Sequence, residues 1–516
     1  VIAAGFPLLS CLILLPLLGA LVTGLCKELN SAKRVALGFA VIELMIALFL
    51  VSAFDINQGS RFQWVEHYAW IPSLNIDFIV GVDGISLLFL PLSALLTVLT
   101  ILASWNSVTT LTRFHFALLL VLEGITLGVF SALDMMLFFL FWELTLPPIF
   151  FLIGLWGMGP HRRAAALKYT LYMLFGGVPL LFAIIMLGMN HAVQAGGHIP
   201  EDLSFSFPIL LSTPLPENLQ PVILLLLLLG FGVKAPLIPF HTWLPTTAME
   251  APTQMTALLT GLKLGVFGIL RFALPLAPSA AIEYSWIIGI LGVTTLIYGS
   301  LIAIKQTNLR SILAYASLSH VGLVIVGISA FNMQGIQGAI FQLLNFTLIA
   351  SCLMLMAGFI QHRIGSTEII HLGGLAKTMP RLATPFFLFA FASIGVPGTS
   401  GFPAELLLFI GVLDTYPSLA ITAMLGAIIG ATYIINFMRR AFWGPAVNAD
   451  IVDADDLKSR ELAILCIPAV LVLIFGLFPN LILNIHYQAA EKWLLQLNSP
   501  VKAKIIAPDS PVRSSQ

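Results

Sequence analysis

Apolar residues run through this chain in long stretches, and polar residues gather in short intervals between them. Dividing it at those intervals and at Pro/Gly breaks gives fourteen apolar spans, at approximately 6–26, 34–54, 83–105, 113–133, 135–158, 164–189, 221–247, 252–274, 282–304, 310–330, 335–360, 384–413, 418–442 and 461–484. Most exceed the ~20 residues a helix needs to cross a ~30 Å hydrocarbon core. Alternating ten-residue strands, the mark of a membrane barrel, are missing from the pattern. The first span is followed by more spans and no small-residue cleavage site, so it reads as a retained helix. The pattern predicts an all-α polytopic membrane protein, a single membrane domain over 1–516 with about 14 transmembrane helices. A polar C-terminal tail, 498–516, is rich in Pro and Ser and is expected to be mobile or docked on a neighbour.

Spans four to eight cover 113–274 and spans nine to thirteen cover 282–442, two blocks of nearly equal length. Each holds five helices, an odd number, so the second must start from the opposite face. Two inverted five-helix repeats of this kind are a transporter architecture. The fourth helix of each block, the seventh and twelfth spans, carries helix breakers: Pro236 and Pro239 in one, Gly395, Pro397, Gly401 and Pro403 in the other. Proline removes a backbone donor and glycine tolerates unwound dihedrals, so both helices are expected to be discontinuous. Unwound backbone survives at membrane depth only where it is buried in protein or lines a hydrated cavity.

Composition agrees: the 516 residues are 59% hydrophobic and 9% charged, with a formal net charge of zero. The zero hides an asymmetry. Alternating the spans puts sixteen of the 24 Lys and Arg on one side and six on the other, four of those six after the last span. Lys234 and Lys263 remain inside spans. By the positive-inside rule the richer side is cytoplasmic, or its organellar equivalent, and both termini lie outside. The outer loops 55–82 and 190–220 carry acids, and the inner loop 445–460 is expected to be a solvated face or a subunit contact.

Four ionisable groups lie deep within spans: Glu143, Lys234, Lys263 and Glu405. Each costs ~3 kcal/mol to bury on insertion scales, so compensation must exist. Glu143 paired with Lys234 is the economical arrangement, leaving Lys263 and Glu405 on different repeats. A static pair that only fixes helix register is the alternative, although buried pairs stabilise poorly compared with apolar isosteres. In water, lysine and glutamate differ by about 6 units of proton affinity, and burial can close that gap. A neighbouring charge then decides the direction of transfer, so separating Glu143 from Lys234 would act as a switch. His320 falls mid-span and suits a relay between Lys263 and Glu405, with a hydrogen-bonded structural histidine as the alternative. His241, beside the first break, is a further candidate carrier, and Glu123 could tune or feed Glu143. Asp83, Asp134, Asp414, Lys168, Arg271, Lys305 and Arg310 sit at span ends and read mostly as snorkelling or capping groups, with Lys168 also placed for a proton-uptake route.

The four cysteines form no CxxC pair, and there is no GxGxxG, GxxxxGK[ST] or HExxH motif. Any redox chemistry is therefore expected on another chain, with no cofactor, metal or nucleic acid bound here.

Several stretches together resemble the chain 4 type of antiporter-like subunit of respiratory Complex I. They are Ala132–Glu143, Lys234–Pro245, Glu250–Thr253, Gly261–Gly265 and Leu309–Tyr315. The resemblance implies a proton-translocating channel with Glu143 and Lys234 as coupling pair, Lys263 as central carrier and Glu405 as exit group. Glu405 discriminates, since chain 2, chain 5 and sodium/proton antiporter relatives generally have lysine on that helix. The wording resembles cyanobacterial and chloroplast forms more than mitochondrial ones. The former imply a thylakoid membrane, iron–sulfur clusters on other chains, electrons from ferredoxin or NAD(P)H, plastoquinone as acceptor, and chain 2-like and chain 5-like neighbours in the membrane arm. Two departures stand out. Thr246-Thr-Ala248 replaces the usual Asp-Ala-His, and Phe346 stands where a histidine is usual, so water or Asn345 must bridge that step or the second half-channel works less well. They suggest a specialised paralogue, one that could join a carbon dioxide-hydrating module. A cation/proton antiporter subunit and a non-transporting scaffold are the competing readings.

Overall fold

The computed structural model describes residues 5–446 and 449–506, with side chains for all of these but 449–450 and 499–506. Helices dominate. Eleven helical stretches among the described residues are long and apolar enough to cross a membrane, from Leu8–Leu25 to Ser459–Leu477. They correspond to eleven of the fourteen expected spans. The other three, 83–105, 221–247 and 384–413, fall short because their helices are short or interrupted.

Both expected interruptions are present. Gln220–Lys234 ends at the lysine, and helix resumes as Trp243–Glu250 after eight intervening residues. Pro380–Ser393 stops before Gly395 and Gly398, which have φ of 67° and 92°, and Gly401–Thr415 follows. Freed backbone groups find partners inside the protein, as they must without water. The Trp243 indole donates to the Val233 carbonyl at 2.9 Å, and the Ser400 amide donates to the Val472 carbonyl at 3.0 Å.

Two further interruptions were not expected. The fifth span divides at Thr145 into Met135–Leu144 and Leu146–Trp156. Pro147 and Pro148 cause it, since neither can donate into the preceding turn. The eighth span breaks at Leu262 and Lys263, between Thr253–Gly261 and Leu264–Gly268. There Thr347 and Ser351 of Met333–Ile364 reach across to the Gly261 and Ala257 carbonyls, both at 2.9 Å. A π-helical turn, Ile269–Ala273, follows, and the Trp493 indole takes the Leu270 carbonyl at 2.8 Å.

Other expectations need correcting. The outer loop 55–82 contains an antiparallel hairpin, Gln63–Ile71 with Ile76–Val82, with Glu66 opposite Val80. Its Glu66 caps the first helix by accepting from the Leu9 amide at 2.7 Å. The tail is helical at its start: Asn480–Ile506 runs past residue 498, and only residues 507–516 lie outside the described ones. Arg271 and Arg310 do not snorkel. Arg271, 5% exposed, forms a 2.6 Å ion pair with Asp83, and Arg310, 3% exposed, donates to the Ala251 carbonyl. Asp134 does cap, accepting from the Met136 and Leu137 amides at 2.9 and 3.0 Å. In the inner loop, Asp456 accepts from the Arg381 amide at 2.7 Å, and Arg363 pairs with Glu461. That end of the loop is thus packed onto the protein; residues 447–448 lie outside the described ones.

Candidate functional site

Each of the four deep charges stands at a helix joint. Glu143 precedes the Thr145 joint by two residues, and Lys234 is the last residue before its break. Lys263 occupies the joint that follows Leu262, and Glu405 lies in the first turns after the Gly395–Gly398 break. Joints expose backbone carbonyls and amides, so they supply polar partners that an intact apolar helix cannot.

Lys234 uses this. Its ammonium donates to the Trp142 carbonyl at 3.0 Å and the Thr145 hydroxyl at 2.9 Å, and it lies 3.9 Å from the Trp142 ring centroid. It therefore plugs the joint beside Glu143. A direct Glu143–Lys234 ion pair, expected from charge balance, is not formed. The half-buried Glu143 carboxylate instead packs against Gly177, where a side chain would collide with it. The two charges still act on one another through space.

Lys234 also lines a cavity of about 30 Å³ with Thr126, Tyr169, Trp243, Leu262 and Leu264. That is room for one or two waters. The buried Tyr169 hydroxyl has no partner, so the cavity wall offers hydrogen-bonding capacity as well as space. Leu262 and Leu264 flank Lys263, so one cavity reaches from the first lysine to the joint that carries the second.

Lys263, 8% exposed, donates to the Ser317 hydroxyl and lies 5.5 Å from the Phe346 ring centroid. His320 stands one turn beyond Ser317 and stacks on Phe346 with ring centroids 3.8 Å apart. Phe346 therefore braces His320 and does not interrupt the row. Gln342 makes the bridge, not Asn345. Its amide nitrogen lies 3.3 Å from His320 Nδ1 and donates to Glu405 Oε1 at 3.3 Å. Asn345 donates to Gln342 Oε1 at 3.1 Å and accepts from Ser400, tying the amide to the break. With the amide so oriented, Nδ1 accepts and the histidine proton sits on Nε2. All of His320, Gln342, Asn345 and Glu405 are at most 9% exposed. Ser317 and His320 share a helix face but no hydrogen bond.

Glu405 packs where only glycine fits. A Cβ on Gly395 would sit 2.5 Å from Glu405 Oε2, and its φ of 67° is in the left-handed region. Gly395→Ala is expected to cost about 1–2 kcal/mol in backbone strain alone. It should also push Glu405 off Gln342. Thermal unfolding and translocation measured on one preparation would show both losses; an unchanged midpoint would refute the packing argument.

Two candidates lie off this row. His241, 6% exposed, meets the Tyr298 ring edge-on with centroids 5.0 Å apart, and its Nδ1 has no partner. Glu123 meets none of the row and faces a different acid, Glu43. Lys168 reaches the far end of the first break, donating to the Thr242 carbonyl at 3.0 Å and the Thr246 hydroxyl at 2.9 Å. Gln342, Ser317 and Tyr169 were not anticipated. Gln342 was legible as a polar residue one turn from Phe346; Ser317 and Tyr169 carried no signal beyond polarity.

Broken helices whose joints hold buried acids and bases define a membrane transporter of the ion-path class. The chain belongs to the NADH:quinone oxidoreductase/Mrp antiporter transmembrane family, whose profile matches residues 132–430. It is 35% identical over 500 residues to NADH-quinone oxidoreductase subunit M of Rickettsia conorii, covering 95% of this chain and 99% of that one. It is 34% identical over 526 residues to NAD(P)H-quinone oxidoreductase chain 4 1 of Synechococcus sp. (strain JA-2-3B'a(2-13)), covering 99% and 97%. Among solved structures, a chain of respiratory complex I from Thermus thermophilus superposes with a TM-score of 0.85 at 28% identity, covering 95% and 99%. A chain of the Mrp complex from Dietzia sp. DQ12-45-1b shares the fold, with a TM-score of 0.81 at 23% identity.

Proposed function

We propose that this chain is a proton-translocating membrane subunit of a Complex I-like quinone oxidoreductase, passing protons along Glu143, Lys234, Lys263, His320 and Glu405. One observation carries it: every deep charge sits at a helix joint, and hydrogen bonds or a shared cavity link most neighbours in the row. In the resting arrangement Lys234 is held by Trp142 and Thr145. Movement of Glu143 relative to this joint changes the field at Lys234 and with it the lysine's hold on its proton. The proton then crosses the cavity to the Lys263 joint, and Ser317 and His320 take it toward Gln342 and Glu405. An amide does not titrate, so the last step runs by rotation of Gln342 or through water beside it. His241, with a free ring nitrogen beside Lys168, is a side carrier into the first break.

The five-helix blocks 113–274 and 282–442 act as inverted halves around this row, with both termini on the outer side. The chain 4 relatives support partners resembling chains 2 and 5 in a membrane arm. The cyanobacterial relative supports a thylakoid setting, with electrons from ferredoxin or NAD(P)H reaching plastoquinone through iron–sulfur clusters on other chains. Phe346 and Thr246-Thr-Ala248 mark the specialised paralogue to which we assign a carbon dioxide-hydrating partner. Co-purification from the native membrane identifies these neighbours.

Lys234→Ala and Glu405→Gln test the path. Each variant, assembled in the whole complex, is expected to lose most proton translocation per electron in proteoliposomes. Full translocation by both would leave a scaffold role. Sodium-dependent proton exchange would favour the antiporter reading.

A further inference from the structure

Two buried acids are left unused by this path. Glu43 on Leu29–Ser52 and Glu123 on Thr112–Ser131 are 0% and 2% exposed, and none of their four carboxyl oxygens has a hydrogen-bond partner. Helix contacts place them at one depth. Gly124 lies against Ile13 and Leu17, and Gly19 lies against Phe39. The first two helices form an antiparallel hairpin, so one turn back along the first brings residue 15 level with 43. The same residue is level with 124. The two charges act on one another through space.

Their surroundings offer no countercharge. Leu8–Leu25, Phe89–Ser104 and Leu146–Trp156, which pack on these helices, contain no Asp, Glu, Lys, Arg or His. The titratable groups on packed elements are Glu143 on Met135–Leu144 and Asp77 on Ile76–Val82. On the acids' own helices they are His115 and Arg113, eight and ten residues before Glu123, and Lys33 and Arg34, ten and nine before Glu43, about 12–15 Å away at the helical rise. Two unsolvated carboxylates without donors cannot both stay ionised. A purely structural pair would need donors to satisfy its oxygens, and there are none.

The location suggests what the proton is for. Leu122 and Thr126, one residue before and three after Glu123, line the Lys234 cavity, so the cavity lies about a quarter turn round the same helix from Glu123. Toward the basic end of the bundle, about 12 Å below Glu123 at the helical rise, is His115, buried with both nitrogens unpartnered. The Thr23 hydroxyl, buried and unpartnered too, is level with it by the same register.

We propose that Glu43 and Glu123 form a carboxyl dyad that binds one exchangeable proton, reached from the His115 end and positioned to supply the Lys234 cavity. Binding stands alone; delivery rests on Lys234 being a carrier. The test uses the intact complex, with infrared spectra in H2O and D2O of the wild type and of Glu43→Gln, Glu123→Gln and the double variant. A protonated-carboxyl C=O band at neutral pH that shifts in D2O, changes in position or intensity in each single variant and is lost in the double variant is the expected result. Each single variant should also slow translocation about tenfold, with the double no worse, since one dyad is lost in each case. A Glu43→Leu/Glu123→Leu variant serves if the glutamines fail to assemble, and it should lose the same band. A band untouched by these changes, one that never exchanges in D2O, or unchanged translocation in both singles overturns the proposal. If the band behaves as expected while Lys234→Ala pumps fully, the dyad stands and the Lys234 path falls.

Discussion

Replacing Lys263 with methionine is expected to abolish proton translocation by the assembled complex while leaving the subunit in place. Lys263 is the titratable side chain at the joint between the Lys234 cavity and the His320–Gln342–Glu405 string, and its ammonium reaches Ser317. Methionine keeps the length and apolar stem but carries no proton. The joint itself should survive, because Thr347 and Ser351 hold its carbonyls independently of the lysine. Loss of a positioned proton carrier typically costs about 10²–10⁴-fold in rate. Proton uptake by proteoliposomes checks it, with co-purification of neighbouring subunits as the control for assembly. Arginine should not rescue, because it does not release its proton.

Arg271→Ala is expected to be the most destabilising single change. The Arg271–Asp83 pair is buried on both sides, with Phe62 and Phe207 rings 4.8 and 5.4 Å from the guanidinium. Alanine would leave Asp83 Oδ2 buried without its guanidinium, at a cost of about 3–5 kcal/mol, although Oδ1 keeps the Ile85 and Ser86 amides at 3.1 and 3.2 Å. It would also loosen the π-helical turn next to the Lys263 joint. Removing both charges, as Arg271→Met with Asp83→Leu, should recover most of that loss, since apolar replacements of buried pairs are often neutral. Thermal unfolding of the detergent-solubilised complex measures this. A double variant as unstable as the single would show that the pair contributes more than charge compensation.

Much of this architecture was legible in residue pattern alone. The apolar spans are long, and Pro236, Pro239, Gly395 and Gly398 mark the two expected breaks because their backbone chemistry forbids or relaxes helix. The Thr145 joint was legible too: Pro147 and Pro148 follow Glu143 by four and five residues, yet the apolar run around them masks the division. The Leu262–Lys263 joint left no such mark. It depends on Thr347 and Ser351, some ninety residues away in the chain, and a one-dimensional pattern cannot show a partner at that distance. The hairpin at Gln63–Ile71 was hidden because its polar, mixed face resembles loop composition.

Within the site, burial cost alone singled out Glu143, Lys234, Lys263 and Glu405. What it could not supply was pairing. Charge balance favoured a contact between Glu143 and Lys234, but a carbonyl and a hydroxyl at the joint satisfy the ammonium instead. Phe346 looked like a gap in the relay because a ring cannot titrate. Stacked on His320, it leaves the bridging to Gln342, whose amide spans the two titratable groups. Glu43 carried the same burial cost, mid-span at 34–54, and was passed over; what the pattern could not show is that the packing of three helices brings it to Glu123.

The most direct measurement is the number of protons translocated per electron by the intact complex in sealed proteoliposomes, with Lys263→Met compared against the wild type at matched quinone-reductase turnover. A ratio well below the wild-type value is predicted. An unchanged ratio would mean that protons do not pass through this joint, and the account of the row would be wrong.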